Sequence, residues 1–369
     1  MIKFIKRIDV NTLLVSLLVL TSQPCMANSN DIEEKIVHHI NQHLQQSQAL
    51  LEKTVNINSG TMNFSGVKAV GAAYATEFEE LGFETLWVDG SEFNRAGHLV
   101  ASYGNMGPKI LMIGHLDTVF AKDDHFQTFL PVDDTHIAGP GITDMKGGDV
   151  IIISALRTLK ALNLLDKVNI KVVMTGDEES SGKPLSLSKK ALIDAAKWAD
   201  IALGFEDADG DIKTAVVARR GSINWQLEVT GKPAHSSQIF TDQVGYGAVF
   251  ETARILNAFR EKLAGVGNIT FNPGLIAGGT EVSTDAETST LQAFGKTNVV
   301  AKSVVVKGGI RTLSLQELEH AKQVMQEIVA DSLLHTSGRL TFEEGYPPMA
   351  PTDKNYALLE MYSDVSESL

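Results

Sequence analysis

The sequence predicts an α/β fold, in which a doubly wound, mostly parallel sheet carries a smaller, inserted α+β sandwich domain. Between residues 83 and 205, short apolar runs bounded by Gly and Pro alternate with segments of helical periodicity, which is the pattern of parallel strands joined by helices. From residue 221 the pattern changes to alternating strands and two long helices, as in a separate α+β unit. A chain of 369 residues also suits two domains better than one.

The first domain is predicted to begin at residue 28 and to run to residue 220. Its helices are predicted where apolar residues recur at helical spacing, over 30–53, 67–81, 148–162 and 187–198. Its strands are predicted where short apolar runs lie between Gly and Pro residues, at 83–88, 98–103, 109–113, 169–174 and 201–205. This alternation predicts a mostly parallel sheet.

The inserted domain is predicted over residues 221–338. Residues 223–230 alternate in polarity, as a half-buried strand does, and 269–277 and 303–308 are also predicted to be strands. Residues 244–263 and 315–334 have helical periodicity. The chain is then expected to return to the first domain over 339–369, where 356–369 is helical and lacks an end signal.

The composition indicates a globular protein, with 43% apolar and 21% charged residues. Its formal net charge is −13. A surface that binds nucleic acid or anionic lipid needs clustered Lys and Arg, and the sequence has no such cluster. We therefore expect no nucleic-acid partner.

The first 27 residues resemble an export signal. Lys3, Lys6 and Arg7 precede the apolar run 13–20, and small residues before Ala27 offer a cleavage site. A membrane anchor is the alternative, but this run is far shorter than the roughly 20 residues that a spanning helix needs. We expect a periplasmic or secreted protein without membrane attachment after cleavage. Because Cys25 is the only cysteine, metal ligands in the remaining chain must be His and carboxylates.

Four polar stretches follow apolar strands or begin a helix. They are GHLD at 114–117, GITDMKGG at 141–148, DEE at 177–179 and GFED at 204–207. The carboxyl ends of parallel strands lie on one edge of a sheet, so these stretches can converge there. Alone, each has an ordinary structural explanation: a core histidine, a turn, a helix start or a solvated acidic turn. Together they predict a metal site without sulfur ligands, which suits Zn²⁺.

The order HxD, DMKGG, DEE and FED, followed by AHSS at 234–237, resembles the M20 metallopeptidases. The resemblance is strongest to the glutamate carboxypeptidase (carboxypeptidase G2-like) branch. It runs from about residue 56 to the end of the chain. It implies a zinc exopeptidase-like fold and hydrolysis of the amide bond of a small peptide or an N-acyl amino acid, with release of the carboxyl-terminal amino acid.

The resemblance implies two zinc ions per subunit. His115 and Glu206 would hold one ion, Glu179 would hold the other, and Asp144 would bridge them. Co²⁺ or Mn²⁺ could replace Zn²⁺, because imidazole and carboxylate ligands accept all three. The family also implies a cis peptide bond between Asp144 and Met145.

The resemblance assigns catalytic roles to two further acids. Glu178 would be the general base, taking a proton from water and passing it to the leaving amine. It is free for this task because the adjacent Glu179 would take up the metal. Asp117 would fix the ring of His115, as metal-bound imidazoles usually require.

In the inserted domain, the resemblance implies that His235 helps to bind the substrate carbonyl or oxyanion. It also implies that Arg311, with Asn298, holds the terminal carboxylate of the substrate, a task suited to the planar guanidinium. The structural alternative is that His235 is an exposed loop residue and Arg311 a surface arginine. A homodimer through the inserted domain is a further implication of the family.

The chain departs from the family at its end. The family has one more zinc-binding histidine near the carboxyl terminus, and this chain stops before that region. We therefore expect a carboxyl-terminally truncated fragment. Two alternatives stay open: a deacetylase or desuccinylase of the same family, and a non-catalytic binding protein of the same fold.

Overall fold

The computed structural model describes residues 29–134, 136–207, 210–211, 213–285 and 290–368. The predicted export signal, residues 1–27, lies outside these ranges. Among the described helices, none combines the length and apolarity that a membrane crossing requires.

Eight α-helices lie in the described residues. They are α1 (Ser29–Val55), α2 (Phe64–Glu80), α3 (Gly147–Ala161), α4 (Leu185–Ser188), α5 (Lys190–Trp198), α6 (Gly247–Leu263), α7 (Leu315–Ala330) and α8 (Asp353–Ser368). Short 3₁₀ turns occur at Ser91–Phe93, Leu165–Lys167 and Ser236–Gln238, and an irregular turn at Ile142–Lys146 precedes α3.

Thirteen strands lie in the same residues. They are β1 (Glu84–Asp89), β2 (Gly97–Tyr103), β3 (Lys109–His115), β4 (Leu130–Pro131), β5 (Ile137–Ala138), β6 (Asn169–Thr175), β7 (Ile201–Gly204), β8 (Gly221–Gly231), β9 (Thr270–Gly279), β10 (Glu281–Asp285), β11 (Thr290–Phe294), β12 (Ser303–Thr312) and β13 (Thr336–Phe342).

The first domain is built on a five-stranded sheet of order β1-β2-β6-β3-β7. Strand β3 pairs in parallel with both β6 and β7, whereas β2 pairs antiparallel with β1 and β6. The three parallel strands therefore end on one edge, where β3 terminates at His115 and β6 at Thr175. The predicted strands are present, and the sheet is mostly parallel, as predicted: β1, β3, β6 and β7 run in one direction and β2 runs in the other.

Alternation along the central strands buries apolar side chains on both faces of this sheet. Met112 and Val172 belong to the main core beneath α1, α2 and α3, while Leu111 and Val173 pack with Ala195 of α5 on the other face. Helices on both faces make the fold doubly wound. This packing holds the carboxyl ends of β3 and β6 rigidly, because both strands are covered on each side.

The second domain is a four-stranded antiparallel sheet of order β13-β8-β12-β9 with α6 and α7 on one face. Trp225 of β8 and Phe259 of α6 meet edge to face in its core. Helix α7 begins with a capping box, in which Ser314 and Glu317 satisfy each other's backbone amides. The sheet continues through β13 to Phe342, so it extends beyond the predicted boundary at residue 338.

Two features of the second domain did not follow from the sequence pattern. The antiparallel pair of β10 and β11 was not predicted; in it Glu281 lies opposite Phe294 and Asp285 opposite Thr290. Strand β13 was not predicted either; it begins after the predicted helix 315–334 and overlaps the start of the predicted return segment 339–369. Both segments alternate weakly in polarity, which is why periodicity did not reveal them.

Candidate metal centre

The site begins where the central strand β3 ends at His115. The side chain of His115 is 1% exposed, between two parallel neighbours. Its Nδ1–H donates to the main-chain oxygen of Asp117 over 2.9 Å. This bond leaves Nε2 as the free nitrogen and aims it at the open edge of the sheet.

Two carboxylates converge on this nitrogen from other parts of the chain. Nε2 of His115 lies 2.9 Å from Oδ1 of Asp144 and 2.9 Å from Oε1 of Glu206. Asp144 lies in the turn before α3, where its backbone is not helical, and the bond from Asp144 to Met145 is cis, as predicted. Glu206 follows β7. The three ligand atoms all lie within 4.8 Å of one another.

This donor set fits a zinc ion. One imidazole nitrogen and two carboxylate oxygens are ligands that zinc accepts, at about 2.0–2.2 Å each. The buried histidine has its second nitrogen fixed by a carbonyl, while Asp144 and Glu206 are 54% and 39% exposed and can adjust. The imidazole of His115 is therefore held in place, whereas the side chains of Asp144 and Glu206 can move to meet a metal ion.

The electrostatics of the pocket favour a cation. Burial lowers the pKa of His115, but the hydrogen bond that the protonated ring donates to Glu206 and the charges of Asp117, Glu206 and Asp149 outweigh it and raise that pKa to about 10. The imidazole thus lies in a strongly negative field. A bound cation would be stabilised by the same charges.

Asp117 connects His115 to the loop that follows β6. Its buried carboxylate accepts hydrogen bonds from Oγ1 of Thr61 at 2.6 Å and from the amides of Glu178 and Glu179 at 3.0 and 3.2 Å. Its Oδ1 lies 3.6 Å from Nδ1 of His115. Burial raises the pKa of Asp117, while the bond from Thr61 and the charge of His115 oppose the rise.

The loop 177–182 carries the two glutamates predicted from the sequence. Partial enclosure raises the pKa of the Glu178 carboxyl. Burial, followed by the negative charge of Asp144, raises the pKa of Glu179 to about 7. Glu179 stands outside the three-residue cluster, yet Asp144 is the charge that affects it most.

The third acid of this loop has a structural task. Asp177 is fully buried and accepts bonds from the amide of Gly182 at 2.9 Å and the hydroxyl of Ser188 at 2.5 Å. Nζ of Lys189 lies 2.9 Å from its Oδ1. These bonds hold the two ends of the loop together and fix the backbone position from which Glu178 and Glu179 extend.

A buried acid that sequence reasoning missed lies behind His115. Asp149 of α3 is fully buried, and neither of its carboxylate oxygens has a hydrogen-bond partner among the described residues. Burial raises its pKa well above the usual range. The signal in the sequence was a charged residue on the apolar face of the helix that follows DMKGG.

The substrate-binding residues predicted in the second domain lie on its surface. His235 and Asn298 are neighbours, because the amide of Ser236 donates to the main-chain oxygen of Asn298 over 2.9 Å. Nδ1 of His235 lies 2.8 Å from Oγ of Ser237. Arg311 lies near the other end of the sheet, on β12 opposite Ser222. Among the described contacts, no hydrogen bond joins His235, Asn298 or Arg311 to the metal centre.

A cleft of about 690 Å³ opens beside Glu179. Apolar side chains from the start of α2 and from the segment after β3 line it, with a single acid, Glu179, and a single base, Lys122, among its described lining residues. The apolar side chains include Met62, Phe64 and Val119. The cleft is therefore suited to an uncharged, apolar group next to the predicted metal ligands.

Comparison with known proteins places this geometry in a family. Residues 111–362 match the profile of the peptidase family M20/M25/M40, which covers more than half of the chain. The chain belongs to peptidase family M20/M25/M40. Metallopeptidases of family M20 use divalent metal ions, typically zinc. This M20 chain is accordingly a hydrolase with a candidate metal site at His115, Asp144 and Glu206.

Individual relatives differ in how much of their length they share with this M20 chain. Carboxypeptidase G2 of Pseudomonas sp. (strain RS-16) is 27% identical over 309 residues, which are 83% of this chain and 71% of that protein. A probable succinyl-diaminopimelate desuccinylase of Staphylococcus aureus (strain MRSA252) is 31% identical over 171 residues, 45% of this chain and 40% of that protein.

Solved structures confirm the predicted fold class. Aminopeptidase PepT from Bacillus cereus ATCC 10987 superposes with a TM-score of 0.65 at 20% identity, covering 89% of this chain and 80% of that chain. At this identity the likeness shows the α/β fold with its inserted domain. The predicted resemblance to M20 metallopeptidases is likewise confirmed.

Proposed function

We propose that this protein is a dinuclear zinc peptidase that hydrolyses the amide bond of a small peptide or N-acyl amino acid and releases the carboxyl-terminal amino acid, as a glutamate carboxypeptidase does. The observation that carries the proposal is the convergence of His115, Asp144 and Glu206 beside the loop with Glu178 and Glu179. Similarity to carboxypeptidase G2 over 83% of the chain supports the carboxypeptidase assignment.

In this proposal His115 and Glu206 would hold one zinc ion, Glu179 would hold the other, and Asp144 would be shared between them. When bound, the ions supply Lewis-acid polarisation of the scissile carbonyl and lower the pKa of the attacking water. Co²⁺ or Mn²⁺ could serve with the same donor set. Asp117 keeps the imidazole oriented through its main-chain oxygen, 2.9 Å from Nδ1 of His115.

Glu178 acts as the general base. It takes a proton from the water whose oxygen attacks the carbonyl carbon, and it returns that proton to the amine nitrogen as the carbon–nitrogen bond breaks. Partial enclosure raises the pKa of Glu178, which brings it closer to the working pH that a base needs. Glu178 can do this because Glu179, its neighbour, is directed to the metal.

The substrate lies between the two domains. The acyl part occupies the apolar cleft beside Glu179, where Met62 and Val119 contact it. The resemblance assigns Arg311, with Asn298, to the terminal carboxylate and His235 to the carbonyl or oxyanion. Because Arg311 lies near the opposite end of the sheet from His235 and Asn298, the two sets would meet at one substrate only if they came from different subunits of the proposed homodimer. Both arginine and asparagine offer the N–H donors that a carboxylate accepts.

The proposal also includes export and assembly. The amino-terminal charge and apolar pattern supports removal of residues 1–27 and a periplasmic or secreted enzyme. The resemblance to the family supports a homodimer through the inserted domain. Neither a nucleic acid nor a membrane is a partner in this proposal.

A deacylase of the same family is the second candidate. The 31% identity to a probable succinyl-diaminopimelate desuccinylase over 45% of this chain favours it. It would use the same metal centre and the same base, and would differ in the acyl group that enters the cleft. A non-catalytic binding protein would have no use for Glu178 beside a metal ligand.

A Glu178→Gln variant tests the proposed function. With the zinc-loaded protein and a panel of N-acyl-glutamates, dipeptides, and N-acetyl and N-succinyl amino acids, kcat should fall about 10²- to 10⁴-fold. Zinc content should stay unchanged. Glu360→Gln, an exposed acid on α8, is the matched control. Unchanged hydrolysis by Glu178→Gln would refute the assignment, and preference for N-acetyl or N-succinyl substrates would favour the deacylase.

A further inference from the structure

Two chain segments connect the domains, and they pair with each other at the junction. The amide of Ser222 donates to the oxygen of Tyr346 over 2.9 Å, and the amide of Tyr346 donates back over 3.1 Å. Arg219 and Met349 exchange a similar pair of bonds, each 2.9 Å long. The backbone of Tyr346 therefore moves with the start of β8, the first strand of the inserted domain.

The side chain of Tyr346 leaves this junction and reaches the loop after β6. Its hydroxyl donates to the main-chain oxygen of Glu178 over 3.2 Å and lies 2.6 Å from Oγ of Ser181. A phenol has one proton, and the carbonyl receives it. The hydroxyl of Ser181 must therefore donate to the oxygen of Tyr346. The tyrosine spans the loop from its second residue to its fifth.

Other anchors of this loop come from the first domain. Asp117 accepts the amides of Glu178 and Glu179, and Arg95 donates to the main-chain oxygens of Ser180 and Ser181 at 2.6 and 3.2 Å. These bonds hold the loop against its own sheet. Within the described hydrogen bonds, Tyr346 is the anchor that comes from the domain junction.

We propose that Tyr346 is a positioning residue that fixes the peptide of Glu178 and thereby ties the direction of its carboxylate to the placement of the inserted domain. This inference rests on the proposed role of Glu178 as the general base. The carbonyl and the side chain of Glu178 are attached to the same Cα, so a shift of the carbonyl position that displaces this Cα also displaces the carboxylate. A displacement of about 1 Å at a reacting group can cost up to about 100-fold in rate.

The surroundings of Tyr346 separate this role from a general contribution to stability. The side chain is 46% exposed, so removal of its hydroxyl leaves no buried cavity, and water can reach the freed oxygen of Glu178. The ring remains in Tyr346→Phe and keeps its place near the ammonium of Lys189, 5.9 Å from the ring centroid. The substitution therefore removes the two hydrogen bonds and little else.

The test compares Tyr346→Phe with the parent protein. We expect kcat to fall about tenfold while KM changes less than about twofold, because the base is displaced and substrate contacts are kept. Amide hydrogen exchange of a peptide covering 176–182 should be faster in the variant. Tyr356→Phe, which changes a tyrosine of similar exposure on α8 (53%), should match the parent in both measurements.

Ser181→Ala provides an independent check. It removes the donor to the tyrosine oxygen and should lower kcat by a smaller factor. The double variant should be no worse than Tyr346→Phe alone, because both changes break one chain of hydrogen bonds. Additive losses would overturn the inference.

Two outcomes separate this inference from the proposed function. If Tyr346→Phe has parental kcat and parental exchange in 176–182, the positioning role is refuted while the peptidase assignment stands. If the parent protein hydrolyses none of the substrates, the proposed function fails, and exchange alone decides whether Tyr346 holds the loop: faster exchange supports this, and unchanged exchange overturns it.

Discussion

Replacing Asp117 with asparagine tests the hydrogen bonds that connect His115 to the loop 177–182. The two oxygens of Asp117 accept three hydrogen bonds: Oδ2 from Thr61 and Glu179, and Oδ1 from Glu178. Asparagine keeps the shape of the side chain but has one accepting oxygen. In either orientation, its NH₂ group therefore faces at least one backbone N–H of the loop.

The expected loss follows from these contacts. A hydrogen bond to a charged acceptor contributes about 1.5–3 kcal/mol, and a buried donor left without a partner costs about 1–3 kcal/mol. Asp117 is 0% exposed, so water cannot replace the lost acceptor. Relief from burying a charge offsets part of this loss. We expect Asp117→Asn to lower the free energy of unfolding by about 1–3 kcal/mol.

Zinc affinity is the second quantity to measure for Asp117→Asn. Asp117→Asn keeps the main-chain oxygen that accepts from Nδ1 of His115 but removes the carboxylate charge 3.6 Å from that nitrogen, so we expect zinc binding to weaken by up to about tenfold. Urea denaturation in EDTA reports on the fold without bound metal, and competition with a chelator reports on affinity. Asp364→Asn, an exposed acid on α8, is the control. Parental values of both quantities in Asp117→Asn would refute the reasoning.

Three further substitutions test other parts of the structure. Ser314→Ala removes the cap of α7 and should lower the free energy of unfolding by about 1 kcal/mol in urea; no change would mean that the cap is dispensable. Lys189→Met removes the ammonium 2.9 Å from buried Asp177 and should cost about 3 kcal/mol, whereas a neutral result would show that the remaining bonds suffice. Met62→Glu should lower kcat/KM for substrates with apolar acyl groups about tenfold. Met106→Glu, which changes a methionine of similar exposure outside the lining of the cleft, should leave kcat/KM unchanged. Equal effects of the two substitutions would show that the acyl group does not bind in the cleft.

The convergence of His115, Asp144 and Glu206 was predictable because strand ends carry two of these residues. His115 ends β3 and Glu206 follows β7, and a parallel pairing places such residues on one edge whatever the loops do. Asp144 stands at a predicted helix start, which alone has an ordinary structural explanation, and its role as a bridging ligand came from the resemblance. Strand ends and helix starts follow from the local pattern of residues, so a single sequence is enough to locate them.

The residues that hydrogen-bond to the loop 177–182 could not be predicted in the same way. Arg95, Lys189 and Tyr346 lie in three separate segments, and each meets the loop only after the chain has folded. Their residue types are common on protein surfaces and have no fixed spacing from the DEE motif. Asp149 is different, because the amino-acid sequence itself places this charge within an apolar helical face.

Removal of the metal should destabilise this protein, because its centre gathers negative charge that the fold does not neutralise. Four acids around His115 have raised pKa values, each chiefly because burial disfavours the charged form: Asp117, Asp149, Glu178 and Glu179. A bound cation reverses that cost and stabilises the folded state through its binding energy. We expect EDTA to lower Tm by several degrees and added Zn²⁺ to restore it, with the restored Tm rising with zinc concentration. In His115→Gln, which removes the rigid ligand, zinc should shift Tm much less. An equal zinc-dependent rise in that variant would mean that the ion binds elsewhere, and the convergence of His115, Asp144 and Glu206 would then need another explanation.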